Sequence, residues 1–246
     1  MAKEYQKYRR SYDPKLYKLL FFLLPEKELV LLDIGCGTGK SSEPLITEAG
    51  RRKVSVFGID PDEEMLKEAR LSAKTKKLPI TYLQEKAEKL SFEKGKFDAV
   101  ISGAAFHWFG NRRTLQNIKN ILKNHGLIFV FWVQHVRTNK PTIGSELYGK
   151  YKWQGIPKKF RGQKFVRQLL SDAGFRNVNT ALMLFTEKQT IKQTIGVLKT
   201  NSSYALMSPK TKRDFVKEMT KAYKIALINK KYDVNHLELR ICYGFK

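Results

Sequence analysis

Cysteine is scarce: the chain has two, Cys36 and Cys242. Two thiols cannot form a disulfide framework, so a reducing, cytoplasmic setting is the expectation. Long apolar runs are missing too. The best, Leu16 to Leu24, is interrupted by Lys18 and stops at Pro25, too short to cross a bilayer. Residues Met1 to Arg10 are polar and basic, without the apolar stretch of a secretory signal. Histidine is rare, and His107, His125, His135 and His236 show no spacing with cysteine that suggests a metal site. Acids are outnumbered, 23 against 47 Lys and Arg, giving a net charge of +24. Such a field attracts polyanions and anionic surfaces, which makes nucleic acid a candidate partner. The basic residues are nevertheless spread along the chain, as they would be on a lysine-enriched solvated surface, and both readings stand. There is no internal repeat and no low-complexity tract.

Apolar material is sufficient. Hydrophobic residues make up 42% of 246 residues, enough for a proper core in one domain. Apolar runs at Leu29 to Ile34, Val54 to Ile59, Ile80 to Leu83, Phe97 to Ser102 and Leu127 to Val133 read as buried strands. Helical patterns at Gly39 to Ala49, Asp62 to Lys74 and Thr114 to Lys123 alternate with them, Pro44 weakening the first. Asn124, His125 and Gly126 read as the close of the third helix. This alternation predicts an α/β fold with a parallel sheet covered on both faces. After about Gln134 the pattern changes. Residues 137–161 have no clean period. Gln163 to Ala173 reads as a helix ending at Gly174, and Val178 to Thr186 and Leu237 to Phe245 as late strands. Between these strands, Phe215, Met219, Ala222 and Ala226 mark an amphipathic helix. The expected organisation is one domain, with an N-terminal helical cap over 1–28, a ligand-binding core over 29–133, and sheet completion with a lid over 134–246.

The segment Leu31-Leu32-Asp33-Ile34-Gly35-Cys36-Gly37-Thr38-Gly39 lies between a strand and a helix. Glycines there permit a tight turn and close approach of backbone to a ligand, and a helix start offers free N–H groups. The next strand ends at Asp60, whose carboxylate can accept hydrogen bonds from both hydroxyls of a ribose. Taken alone, Asp60 reads equally as a helix N-cap.

This constellation resembles motif I of the class I S-adenosylmethionine-dependent methyltransferases, for which Gly-Cys-Gly-Thr-Gly is a common ending. Residue 40 is Lys, so the Gly-x-Gly-x-x-Gly spacing of dinucleotide binders is lacking. The resemblance implies a Rossmann-like fold with a seven-stranded, mostly parallel sheet and a C-terminal helical lid. S-adenosylmethionine is the implied cofactor. Asp33, Gly35, Cys36, Gly37 and Gly39 would border its methionine part, and Asp60 its ribose. Lys86-Ala87-Glu88-Lys89-Leu90-Ser91-Phe92 resembles the segment that borders the adenine. Many relatives have Asp where Lys86 stands, so Ala87 backbone or Glu88 would serve; Glu88 reads equally as a surface acid. Phe97-Asp98-Ala99-Val100-Ile101-Ser102-Gly103-Ala104-Ala105-Phe106-His107-Trp108-Phe109 resembles motif IV. Small residues at Gly103 and Ala104 would let the strand end approach the sulfonium.

His107-Trp108, Tyr8-Arg9-Arg10-Ser11-Tyr12-Asp13-Pro14 and Leu198-Lys199-Thr200-Asn201-Ser202-Ser203-Tyr204 resemble the trans-aconitate methyltransferase-like branch, whose members esterify small carboxylic acids. Asn201 stands where Trp is expected. The implied partner is a small acidic substrate, with His107 orienting it, Trp108 walling its pocket, and Arg9, Arg10 or a lid lysine pairing with further carboxylates. The bland alternative has His107 capping a loop and Trp108 in a core. Likewise Tyr5, Tyr8 and Tyr12 either close over the cofactor or pack one helix face. Two other functions fit the residues. An RNA methyltransferase would use the +24 charge and the basic segments 150–167 and 210–231, although motif IV lacks an Asn-Pro-Pro-Tyr-like stretch. A cofactor-binding scaffold would use the turn without catalysis.

Overall fold

A computed structural model of the chain describes residues 1–136, 142–152 and 162–246. Much of the aperiodic stretch 137–161 lies outside the described residues. Two helices, α1 (Ala2–Tyr8) and α2 (Pro14–Phe22), precede the first strand. Asp13 starts α2 by accepting the Lys15 N–H at 2.8 Å, and Pro14 occupies a position whose N–H would have no helical partner. There follow β1 (Glu28–Ile34), α3 (Pro44–Thr47), β2 (Lys53–Asp60), α4 (Glu63–Thr75), β3 (Ile80–Gln84), β4 (Phe97–Gly103), α5 (Phe106–Phe109), α6 (Arg112–Ile121) and β5 (Leu122–His135). The rest comprises α7 (Ser145–Lys150), α8 (Gln163–Asp172), β6 (Arg176–Gln189), α9 (Ile191–Lys199), α10 (Ser202–Ala205), α11 (Pro209–Ala226) and β7 (Asp233–Phe245).

The seven strands form one sheet in the order β3-β2-β1-β4-β5-β7-β6. β1 pairs in parallel with β2 and β4, β2 with β3, and β4 with β5. β7 runs antiparallel to β5: the Val136 N–H donates to the His236 carbonyl at one end, and the Lys246 N–H to the Gly126 carbonyl at the other. The order reverses at β1, between β2 and β4. Ligands of open α/β sheets bind beyond the strand C-termini at such a reversal. This is an α/β architecture, as the strand-helix alternation predicts, and a Rossmann-like one, as the resemblance implies.

The chain divides into two compact units. One comprises Met1–Arg9, Val133–Ile156 and Met183–Leu239; the other comprises Arg10–Trp132, Pro157–Leu182 and Arg240–Lys246. The larger unit has its core on the sheet, where Leu32, Ile34, Val100, Ile128 and Val130 meet Leu115, Ile118 and Leu170 of the helices. Both cysteines are free and buried in it, Cys36 after β1 and Cys242 on β7. In the smaller unit Ile195, Phe215, Met219, Tyr223 and Leu227 form a separate cluster. No helix among the described residues is long and apolar enough to cross a membrane.

Three local expectations change. Gly39 to Ala49 is not one helix. Turns fill 39–43, and α3 starts only at Pro44, whose missing N–H ends any continuous ladder there. The fifth strand starts at Leu122, not Leu127. Phe97 faces Leu122 while Ala99 faces Leu127, so Asn124 to Gly126 form a bulge within β5, with His125 at φ 64°. On α11 the inward side is Phe215, Met219 and Tyr223; Ala226 is exposed. The aromatic ring of Tyr223 supplies the burial that the small alanines cannot.

Candidate cofactor site

The turn after β1 is pinned to the end of β2. The N–H groups of Gly35 and Cys36 both donate to the Ile59 carbonyl, at 2.8 and 3.0 Å. Gly35 has φ +72°, and a Cβ there would collide with the Ala105 methyl. Glycine is therefore demanded twice, by conformation and by the close approach of the segment after β4. Gly37 differs. Its φ is +54°, but a Cβ there would meet nothing within 4 Å. Backbone at that position borders open space, as a ligand cradle requires.

Asp60 closes this turn. Its Oδ2 accepts the Gly37 N–H and its Oδ1 the Asp62 N–H, both at 2.9 Å. Each carboxylate oxygen has two lone pairs, so one remains on each for the two hydroxyls of a ribose. Burial raises the pKa of Asp60, while these backbone bonds lower it. The N-cap of α4 is Asp62, which accepts from Glu64 and Met65 N–H groups. Asp60 is thus not that helix's cap.

Asp33 is fully buried at the end of β1. Its Oδ2 accepts the hydroxyls of Ser41 and Ser42, at 2.6 and 2.7 Å. Its Oδ1 has no partner, nor do the buried hydroxyls of Thr38 and Ser102. Burial drives the Asp33 pKa up to about 6, the two serines pull it down, and Asp60 pushes it up. Buried polar atoms without partners are rare and call for a ligand or water. Asp33 and Thr38 flank or belong to the glycine turn, and together with the Gly37 cradle they fit a zwitterionic, hydroxyl-bearing cofactor. Ser41 and Ser42 were not singled out in the sequence because that segment read as a helix; two adjacent hydroxyls after the glycines were the available signal. Tyr17 joins them, donating to the Ser41 carbonyl at 3.2 Å.

Cys36 is a buried turn residue whose thiol pKa burial raises, so it is no ready nucleophile. Gly39 has φ +83°, and a Cβ there would strike the Tyr82 hydroxyl. Ala87 is buried in the main core, while Glu88 is exposed and offers its carbonyl to Asn117. Gly103 is small for a packing reason: a Cβ would lie 2.9 Å from the Phe131 ring and 3.1 Å from Ser41. His107 and Trp108 lie on the single turn α5, which Ala105 holds against Gly35. The His107 ring is half-buried, with its pKa lowered by that burial, and lies 4.7 Å from the tilted Trp108 ring. Trp108 is 70% exposed and so is not a core residue.

Other predicted residues have contacts of their own. Tyr12 packs edge-on against Phe131 at 4.7 Å. In the smaller unit, Tyr8 lies where a Gly196 Cβ would be, and Arg9 covers Tyr5 and donates to Thr200 Oγ1 at 2.8 Å. Asn201 caps α10 through the Ser203 N–H. No cluster of His, Cys, Asp and Glu among the described residues would hold a metal.

Residues 32–130 match a family model described as a methyltransferase domain. The chain is 22% identical over 232 residues to a putative methyltransferase of Dictyostelium discoideum, covering 91% of this chain and 85% of that one. It is 32% identical over 156 residues to a probable S-adenosylmethionine-dependent methyltransferase of Saccharomyces cerevisiae, covering 61% of this chain and 51% of that one. The fold is similar to a putative type II methyltransferase from Anaeromyxobacter dehalogenans, with a TM-score of 0.70, 19% identity, and coverage of 96% and 97%. The matched segment includes the glycine turn, Asp60 and the β4-α5 corner, and S-adenosylmethionine is the cofactor of such a domain. Residues 32–130 of the chain are a methyltransferase domain, carried on a Rossmann-like fold shared with solved methyltransferases.

Proposed function

We propose that the chain methylates a carboxylate oxygen of a small acidic molecule. The observation that carries this reading is the placement of His107. It stands on a one-turn helix held against the glycine turn, half-buried, and with its pKa lowered. A carboxylic acid with a pKa of about 4 is already ionised at neutral pH, so its transfer needs orientation rather than a base. A neutral imidazole does this by donating one N–H to one carboxylate oxygen, leaving the other free to attack.

When bound, S-adenosylmethionine supplies a methyl group on positive sulfur; the attacking oxygen forms the O–C bond while the C–S pair departs to sulfur. The chain positions and excludes. Asp33 would hold the amino group of the methionine part through its unpartnered Oδ1, and Asp60 the ribose hydroxyls. Gly35 and Gly37 keep the turn free of side chains, and Ala87 or Glu88 would border the adenine. Exposed Trp108 would cover the substrate when the site is filled.

Labelled-methyl transfer to a panel of small mono- and dicarboxylic acids tests the reading, with total RNA as the competing acceptor. Esters are expected. His107→Ala should lower turnover by about 10²-fold or more while cofactor affinity changes little. Methylated RNA, or unchanged turnover in the variant, would sink the reading.

A further inference from the structure

We infer that the outward face of α11 docks on an anionic phospholipid surface. Residues 210–231 carry eight Lys and Arg against Asp214 and Glu218. Within α11, Lys210, Arg213, Lys217, Lys221 and Lys224 succeed one another at intervals of three or four, which aligns them along one side of the helix. The opposite side is used: Phe215, Met219 and Tyr223 are buried in the unit's own cluster. The basic side is exposed. Glu218 is taken by Lys150, and no carboxylate among the described residues pairs with Lys217, Lys221 or Lys224.

Charge alone would suit any polyanion. The apolar residues on the same face narrow the choice. Ile225 is 64% exposed and Ile228 71% exposed. Together with Lys217, Thr220, Lys221 and Lys224 they line an open groove of about 540 Å³. Single-stranded nucleic acid is gripped by aromatic and arginine stacking platforms. This groove has neither; its lining is aliphatic carbon with a border of ammonium groups. That combination matches a lipid headgroup boundary, where lysines meet phosphate and aliphatic side chains enter the acyl edge.

Flotation with vesicles tests this. The full chain is mixed with vesicles of phosphatidylcholine alone, or with about 30% phosphatidylserine added to create the negative surface potential. Binding only to the second is expected. Each lysine near such a surface contributes about fivefold, so K217Q/K221Q/K224Q should lose roughly a hundredfold. The charge-matched variant K74Q/K94Q/K164Q, with the same net charge, should bind like the parent. I225S/I228S should lose about tenfold on vesicles and nothing on a single-stranded RNA oligonucleotide. Circular dichroism verifies that each variant is folded. Equal loss in both lysine triples, full binding by I225S/I228S, no vesicle binding by the parent, or tighter binding of the RNA would each overturn the inference.

Discussion

Burial holds the Asp33 carboxyl at a pKa of about 6, against 3.8 for the free side chain. The folded chain therefore holds that proton more tightly than the unfolded chain does. Its stability falls as pH rises through the window between 3.8 and about 6, and stays lower above it. The loss is on the order of 3 kcal/mol for the cofactor-free protein. Asp33→Asn keeps an oxygen for Ser41 and Ser42 but removes the buried charge. Without cofactor, the D33N variant should melt higher than the parent at about pH 8, with the pH slope between about 4 and 6 flattened. Scanning calorimetry across that range is the check; an unchanged slope would place the titration elsewhere. The same variant should lose cofactor affinity by more than about tenfold, since a charged hydrogen-bond partner is worth about 1.5–3 kcal/mol. Asp33 is legible in the sequence because it ends an apolar run just before glycines. Its two serine partners are not, because their reach depends on a turn that the local pattern disguises as a helix. Trp108 is a similar case: an aromatic beside His107 reads equally well as core or pocket wall, and only the structure shows it 70% exposed.

At the scale of the element, Gly35 and Gly37 of the β1-α3 turn have different reasons for being glycine. Both have positive φ, but of these two only Gly35 would bring a Cβ against a neighbour. Gly37→Ala should cost about 1–2 kcal/mol, the strain of an L-residue in left-handed backbone. Gly35→Ala should cost more, because the Ala105 contact adds roughly 1–3 kcal/mol of overpacking. Urea titration separates the two, and equal losses would show that the α5 corner yields. The turn itself is well foreshadowed by its sequence, since strand period, glycines and a following acid agree. The fifth strand is less so. Asn124-His125-Gly126 has the composition of a helix stop, and it is the pairing of Phe97 with Leu122 that keeps those residues in the sheet as a bulge. Non-local pairing of this kind overrides local turn chemistry. For α11, the spacing of Phe215 and Met219 identifies the helix, yet the inward side passes through Tyr223 rather than Ala226.

For the whole molecule, the charge of +24 is the most visible property and the least specific one. Composition cannot say whether lysines are dispersed or aligned; the helix period of α11 turns a scatter of residues into a line. The sheet is the opposite case. Its first five strands follow from alternation in the sequence, and its reversal at β1 places Asp33 and Gly35 where a ligand belongs. The scarcity of cysteine has a use at this scale. With one thiol in the ligand turn and one on β7, the protein carries two built-in clocks for its own opening. Burial raises both thiol pKa values, that of Cys242 to about 12, so iodoacetamide reports exposure rather than intrinsic reactivity. Cys36 should alkylate faster than Cys242 in cofactor-free protein, because a turn opens locally while a strand waits for global unfolding. Saturating S-adenosylmethionine should slow Cys36 until the two rates converge, as read by mass spectrometry of the labelled peptides. Equal rates without cofactor would mean that the turn is as rigid as the sheet, and that the site is set before its ligand arrives.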